Sequence, residues 1–161
     1  DFAALLHALA VVRRRVPARL LVLGEGPERE ALLALRARLG LEGAVDFPGF
    51  YDDPLPLFAR AAALVVSSRF EGFGLTLVEA LACGTPVVST DCPTGPAEIL
   101  ARGAYGRLVP VGDADALGAA MLATLADPPD RARLRQRAQD YTLAAVVEQY
   151  LALFARLEPS R

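Results

Sequence analysis

Two carboxylates eight positions apart, Glu71 and Glu79, carry the strongest chemical signal in this sequence; between them lie Gly72-Phe73-Gly74 and the opening of an apolar helical pattern. The two glycines let the backbone approach a ligand closely. The helix that follows them offers N–H groups without intrahelical partners to an anion. Glu71 is predicted in the loop itself, and Glu79 in the first turn or so of the helix. There a carboxylate can accept hydrogen bonds from a pair of vicinal hydroxyls. A hydroxyl-reading carboxylate, a phosphate-reading helix end and a second carboxylate together suit a nucleotide sugar. Blander uses of the same residues exist. Thr76-Leu77-Val78-Glu79 is also a capping-box pattern, and Glu71 could pair with Arg69 on the surface, an interaction worth little.

Other candidate residues say less. Gly24-Glu25-Gly26 hints at a dinucleotide fingerprint, but Arg29 stands where the third glycine is needed for packing. Thr94 suits either the N-cap of a helix opened by Pro96 or a ligand contact. With two cysteines, Cys83 and Cys92, no CxxC and a single histidine, the chain lacks the ligands of a structural zinc site. Both thiols read as reduced, cytosolic and apolar in role. His7 is predicted at a helix edge without a role, and Arg13-Arg14-Arg15 as a solvated helix end favoured by the helix dipole.

The elements that must position these residues are legible from hydropathy. Phe2, Leu5, Leu6, Leu9 and Val12 recur at three and four, predicting a helix that stops before Pro17. Leu20-Leu21-Val22-Leu23 and Ala63-Leu64-Val65-Val66 are unbroken apolar runs, which suit strands buried on both faces. Further strands are predicted near residues 44–47, 86–90 and, more weakly, 107–109. Helices are predicted around Leu32 to Leu39, Asp53 to Ala62, Leu75 to Cys83 and Pro96 to Leu100. The tail carries two more stripes, Leu117, Met121 and Leu125, then Val146, Tyr150 and Phe154, broken by Pro128-Pro129. Strands alternating with helices argue for βαβ units, so the fold class is α/β: a single Rossmann-like, doubly wound parallel sheet. In such a sheet the ligand binds at the C-terminal ends of the strands.

Composition bounds the partners. With 53% hydrophobic and 22% charged residues, the 161-residue chain is globular rather than disordered. A net charge of −2 gives no global reason to hold nucleic acid. Every basic residue is Arg, which reads as genome composition rather than chemistry. No run of residues is long and apolar enough to span a membrane.

Glu71-Gly72-Phe73-Gly74-Leu75-Thr76-Leu77-Val78-Glu79-Ala80-Leu81-Ala82-Cys83-Gly84-Thr85-Pro86-Val87-Val88 resembles the signature of the group 1 (family 4) retaining GT-B glycosyltransferases. The E-x(7)-E spacing, the internal Phe-Gly and the trailing A-x-G-x-P-V all match. Leu20 to Pro27, Val45 to Phe50 and Asp91 to Leu100 resemble three further blocks of the same domain, in order, so the likeness covers essentially the whole chain. The resemblance implies a nucleotide-diphosphate sugar as substrate, with no cofactor and no metal. It implies that Glu71 meets a donor-sugar hydroxyl as the catalytic carboxylate. Backbone around Gly72, Phe73, Gly74, Leu75 and Thr76 would meet the sugar and diphosphate, and Glu79 the ribose. Backbone near Phe50 and Tyr51 would meet the base, with Gly24 and Gly26 lining the pocket. The implied reaction is transfer to an acceptor alcohol with retention, in polysaccharide or glycolipid assembly of the bacterial kind. Its implied place is the cytoplasm, with peripheral contact at the inner membrane face through the full-length protein.

The same resemblance sets a departure. The family's domain opens with a strand, then a Gly-Arg and a Lys that hold the diphosphate, whereas this sequence begins at the Asp-Phe that follows them. Residues 1–161 are therefore read as a donor-binding C-terminal domain truncated at its N-terminus. Its first strand and the acceptor-holding N-terminal domain are missing, and the fragment alone is inactive. In the doubly wound order the missing strand lies between those at 20–24 and 63–67, so a gap is expected there. Two other readings share the fold: a nucleotide-sugar epimerase, whose acids and histidine this chain does not offer, and a non-catalytic interaction domain.

Overall fold

The computed structural model describes residues 1–157. The elements alternate from the start: α1 (Phe2–Arg13), β1 (Leu20–Leu23), α2 (Arg29–Arg38), β2 (Val45–Gly49), α3 (Leu55–Arg60), β3 (Leu64–Val66), α4 (Leu75–Ala82), β4 (Val87–Thr90), α5 (Pro96–Ile99) and β5 (Arg107–Val109). Then come α6 (Ala114–Ala126), α7 (Arg131–Ala138), a 3-10 turn at Gln139–Tyr141 and α8 (Leu143–Leu157). α7 and the 3-10 turn are absent from the sequence reading. Arg131-Ala132-Arg133-Leu134-Arg135-Gln136-Arg137-Ala138 offers a single large apolar side chain, Leu134, so it has no stripe to see. Asp130 caps this helix, accepting from the Ala132 N–H at 2.9 Å, and Leu134 is fully buried.

All ladders among the described residues are parallel: β1 with β2, and β3 with β4 with β5. Alternation along the strands supplies two faces. Val88, Val109 and Val65 pack with the α1, α2 and α6 side chains, whereas Val87, Leu64, Val66 and Leu108 pack with those of α4, α5 and α7. Helices therefore cover the three-stranded sheet on both sides, as the doubly wound class requires. α1 and α6 come so close that a Cβ on Gly118 would stand 3.0 Å from the Ala8 carbonyl oxygen. Pro48, which has no N–H to donate, lies in β2, a strand paired on one side alone, next to an irregularity in its register with β1.

No ladder joins β1 to β3; the sheet is split into a two-stranded and a three-stranded part. That matches the expected strand order, which direct pairing of the two would have contradicted. It also corrects the predicted burial. Leu21 is 48% exposed, and Leu64, Val65 and Val66 are each half-buried rather than enclosed. Each strand has one flank without a neighbour, so no adjacent side chains cover it there.

Two tail stripes also differ from expectation. In α6 the buried positions are Leu117, Gly118, Met121 and Thr124, while Leu125 faces outward. α8 buries none of its residues, and Tyr150, Leu151 and Phe154 are exposed.

One buried hydrogen bond ties the α3 end to the α4–β4 turn: the Thr85 hydroxyl, fully buried, donates to the Phe58 carbonyl at 2.6 Å. Thr85→Val removes that tie and leaves the Phe58 carbonyl with the Ala61 N–H as its remaining donor, at 3.0 Å. It is expected to lower stability by about 0.5–1.5 kcal/mol, the net worth of one hydrogen bond, read as a lower urea midpoint at an unchanged slope.

Candidate functional site

Because the strands run parallel, the loops after β1, β2, β3 and β4 emerge at one edge of the molecule. The first two are joined through backbone: the Gly24 N–H donates to the Gly49 carbonyl at 2.7 Å. Arg29, which stands in place of a third glycine, reaches Glu25 at 3.3 Å and the Phe47 carbonyl at 3.2 Å, tying the start of α2 to β2. Phe50 is 75% exposed, and Tyr51, Phe70, Phe73 and Leu75 are exposed too. Large apolar side chains gathered at strand ends mark a surface that binds something.

The turn after β3 is held from two sides. The Ser68 hydroxyl donates to Glu71 Oε1 at 2.7 Å. Arg69 does not pair with Glu71; it bonds the Asp1 carboxylate at 2.9 Å. From the loop after β4, the Thr94 hydroxyl reaches the Glu71 carbonyl oxygen and also stands 2.7 Å from the Pro93 carbonyl. Thr94 is thus not the N-cap of α5, a position Gly95 holds without any side-chain cap. With φ at +62°, Thr94 is a β-branched residue in the left-handed region, a strained conformation of the sort found at binding loops. Gly95 lies so close to the turn that a Cβ there would collide with the Phe73 carbonyl.

α4 begins at Gly74, whose φ of +93° admits glycine readily and whose position takes no side-chain cap. Thr76 and Glu79 therefore form no capping box. Glu79 is the fifth residue of the helix, just past its first turn and close to its predicted place. Half-buried, its carboxylate takes no hydrogen bond or ion pair among the described residues. The Cys83 thiol is pushed up, first by burial and then by the charges of Glu79 and Asp53. Cys83 Sγ also lies 3.7 Å from the Leu55 carbonyl. Cys92, buried beneath the Glu71 turn, has its thiol pushed up by burial above all, with Glu71 adding to it. Neither cysteine resembles an activated nucleophile.

Glu71, Gly72, Phe73, Gly74, Leu75 and Thr76 thus form one turn running into α4, with Glu79 just below it and Phe50 and Tyr51 on the neighbouring loop. Gly24 and Gly26 lie in the loop after β1, which the Gly24–Gly49 bond joins to the loop carrying Phe50 and Tyr51. A cleft of about 660 Å³ opens where the segments after β1 and β3 meet the start of α1, lined by Asp1, Ala3, Glu28, Ser68, Arg69 and Phe70; none of the predicted donor-binding residues is among them. No group of three or more His, Cys, Asp or Glu among the described residues is placed to hold a metal ion. The contacts of Thr94 with Glu71 and of Gly95 with Phe73 are not legible in the sequence, because the loops they join are some twenty residues apart.

Comparison with known proteins follows the same pattern. The family described as "Glycosyl transferases group 1" matches residues 1–141. The lipopolysaccharide core biosynthesis glycosyltransferase LpsE of Rhizobium meliloti is 36% identical over 155 residues, covering 92% of this chain and 45% of that protein. The phosphatidyl-myo-inositol mannosyltransferase of Mycolicibacterium smegmatis is 37% identical over 161 residues, covering 94% and 40%. Among solved structures, Anabaena Alr3699/HepE in complex with UDP superposes with a TM-score of 0.78 at 27% identity, over 96% of this chain and 44% of that one. The chain spans less than half the length of each of these proteins.

Proposed function

Since the chain belongs to the group 1 glycosyl transferases and has the Rossmann-like form of a GT-B half, we propose that it is the donor-binding domain of a retaining, metal-independent sugar transferase. The observation that carries this reading is the pair of carboxylates on one turn. Glu71 stands at its mouth, and Glu79 lies half-buried in α4 with no partner among the described residues. A half-buried carboxylate without a protein partner gains by accepting from a ligand's hydroxyls.

The roles follow from position. Glu79 receives the ribose hydroxyls, and Phe50 and Tyr51 border the base. The Phe73, Gly74 and Leu75 amides at the start of α4 meet the diphosphate, whose charge the helix end favours. Glu71 holds a hydroxyl of the transferred sugar. Gly24 and Gly26 belong to the segment after β1, whose Glu28 lines the cleft. The departing diphosphate helps deprotonate the acceptor alcohol, so the protein supplies orientation and charge stabilisation rather than a strong base. An upstream strand with an Arg and a Lys would fill the space between β1 and β3 and complete the diphosphate site; an N-terminal domain would hold the acceptor. The relatives named for lipopolysaccharide core and phosphatidyl-myo-inositol support a glycolipid or polysaccharide acceptor. That would bring the full-length protein to the inner membrane face, although no helix of the described residues is long and apolar enough to cross a membrane.

A thermal-shift panel of UDP, GDP, ADP and their sugars on the full-length protein tests this. One nucleotide series is expected to raise the melting temperature, since ligand at a hundred times its dissociation constant adds about 2.7 kcal/mol. No shift with any of them refutes a nucleotide donor.

A further inference from the structure

Arg137, on α7 and far in sequence from the E-x(7)-E turn, is bonded to both of the segments that grip that turn. Its Nε donates to the Ile99 carbonyl at 2.9 Å and Nη2 to the Glu98 carbonyl at 2.7 Å, holding the last turn of α5. Nη2 also donates to the Tyr141 hydroxyl at 2.7 Å, and Nη1 to Asp140 Oδ2 at 2.7 Å. The guanidinium carbon lies 5.0 Å from the centre of the Tyr141 ring and 5.5 Å from that of Tyr105. Tyr141 in turn meets Phe73 edge to face, with ring centres 5.8 Å apart. On the other side of the turn, Gly95, the N-cap of α5, abuts the Phe73 carbonyl, and Thr94 holds the Glu71 carbonyl.

We propose that Arg137 and Tyr141 are positioning residues for the donor turn. Arg137 fixes α5 against one side of Phe73 and Tyr141 against the other, so the Glu71–Gly74 segment keeps a single conformation. The proposal rests on the donor-binding reading above. A flexible turn rich in glycine samples many shapes, and an affinity that needs one of them falls in proportion to its population. A planar fork with donors to spare suits this duty, because one side chain can bond two carbonyls, a hydroxyl and a carboxylate at once. Lysine cannot reproduce that geometry.

The test uses the full-length protein, with UDP as the probe in isothermal titration and hydrogen exchange of the unliganded protein read by mass spectrometry. Arg137→Ala and Tyr141→Ala are expected to weaken UDP binding about tenfold, as a fall of the competent turn to a tenth of the population would. Both should speed exchange in the 70–76 segment while leaving α1 and α6 at wild-type rates. Tyr141→Phe, which keeps the ring against Phe73, should restore both readouts. Arg137→Lys should not. A merely structural Arg137 would lower the melting temperature yet leave UDP affinity and exchange at 70–76 unchanged, and that result overturns the proposal. Exchange needs no ligand, so it decides even if UDP is the wrong nucleotide. Glu79→Gln in the same titration separates the two ideas. If it weakens binding and the Arg137 variants do not, this inference fails alone; if none of the variants matters, the donor-binding reading fails with it.

Discussion

Residues 1–161 alone, mixed with nucleotide sugar and acceptor, are expected to transfer no sugar above background, whereas a full-length protein of the proposed kind is expected to turn over at ordinary enzymatic rates. Holding two reactants in reactive geometry can supply roughly 7–11 kcal/mol of the barrier. On the proposed reading this chain holds one of them, the donor. Glu71, the start of α4 and Glu79 lie on one edge of the sheet, and the adjoining cleft of about 660 Å³ is open. The charges that would steady the leaving diphosphate are sparse here. Arg69, two residues before Glu71, is already paired with Asp1, and Arg137 is bonded to Glu98, Ile99 and Asp140. If, as proposed, an upstream strand supplies an Arg and a Lys, a longer chain that includes it is expected to bind donor without turnover, and turnover is expected once an acceptor-holding N-terminal domain is present as well. Product formation by residues 1–161 at enzymatic rates, followed with a radiolabelled donor, would mean that the catalytic groups lie elsewhere.

Glu79→Gln in the full-length protein is expected to weaken nucleotide binding by about 1–3 kcal/mol, the usual cost of removing a charged acceptor from a hydrogen bond. The melting temperature without ligand should barely move. The Glu79 carboxylate has no hydrogen bond within the described protein to lose, and the start of α4 is formed by Gly74 without any side-chain cap. Isothermal titration together with a melting curve separates the alternatives. A fall in melting temperature with affinity intact would return Glu79 to a structural role and remove the ribose contact from the mechanism.

Within the fold, what was legible was what is local. The strands at Leu20–Leu23, Val45–Gly49, Leu64–Val66, Val87–Thr90 and Arg107–Val109 lie where apolar runs and turn residues put them, to within about two residues. Pro96 opens α5 and Gly74 opens α4, because proline and glycine restrict or free the backbone wherever they stand. The spacing of Glu71 and Glu79 is covalent, so it could be read without coordinates.

α7 was not legible, since a helix of alternating arginines has no stripe and owes its place to one capping aspartate and one buried leucine. The sequence by itself determined the α/β class and the order of the five strands and the helices between them, because periodicity, turn chemistry and chain connectivity act over a few residues. The tertiary structure alone decided that Thr94 reaches the Glu71 carbonyl instead of capping α5, that Arg69 turns to Asp1, and that Leu21 and β3 stay half-exposed. It alone brought Arg137 to Glu98 and Ile99, and Tyr141 to Phe73. Each of these contacts joins groups more than twenty residues apart, and several partners of similar chemistry compete for every such group. Which one wins depends on how strands and helices pack in space, and no local pattern in the chain encodes that choice.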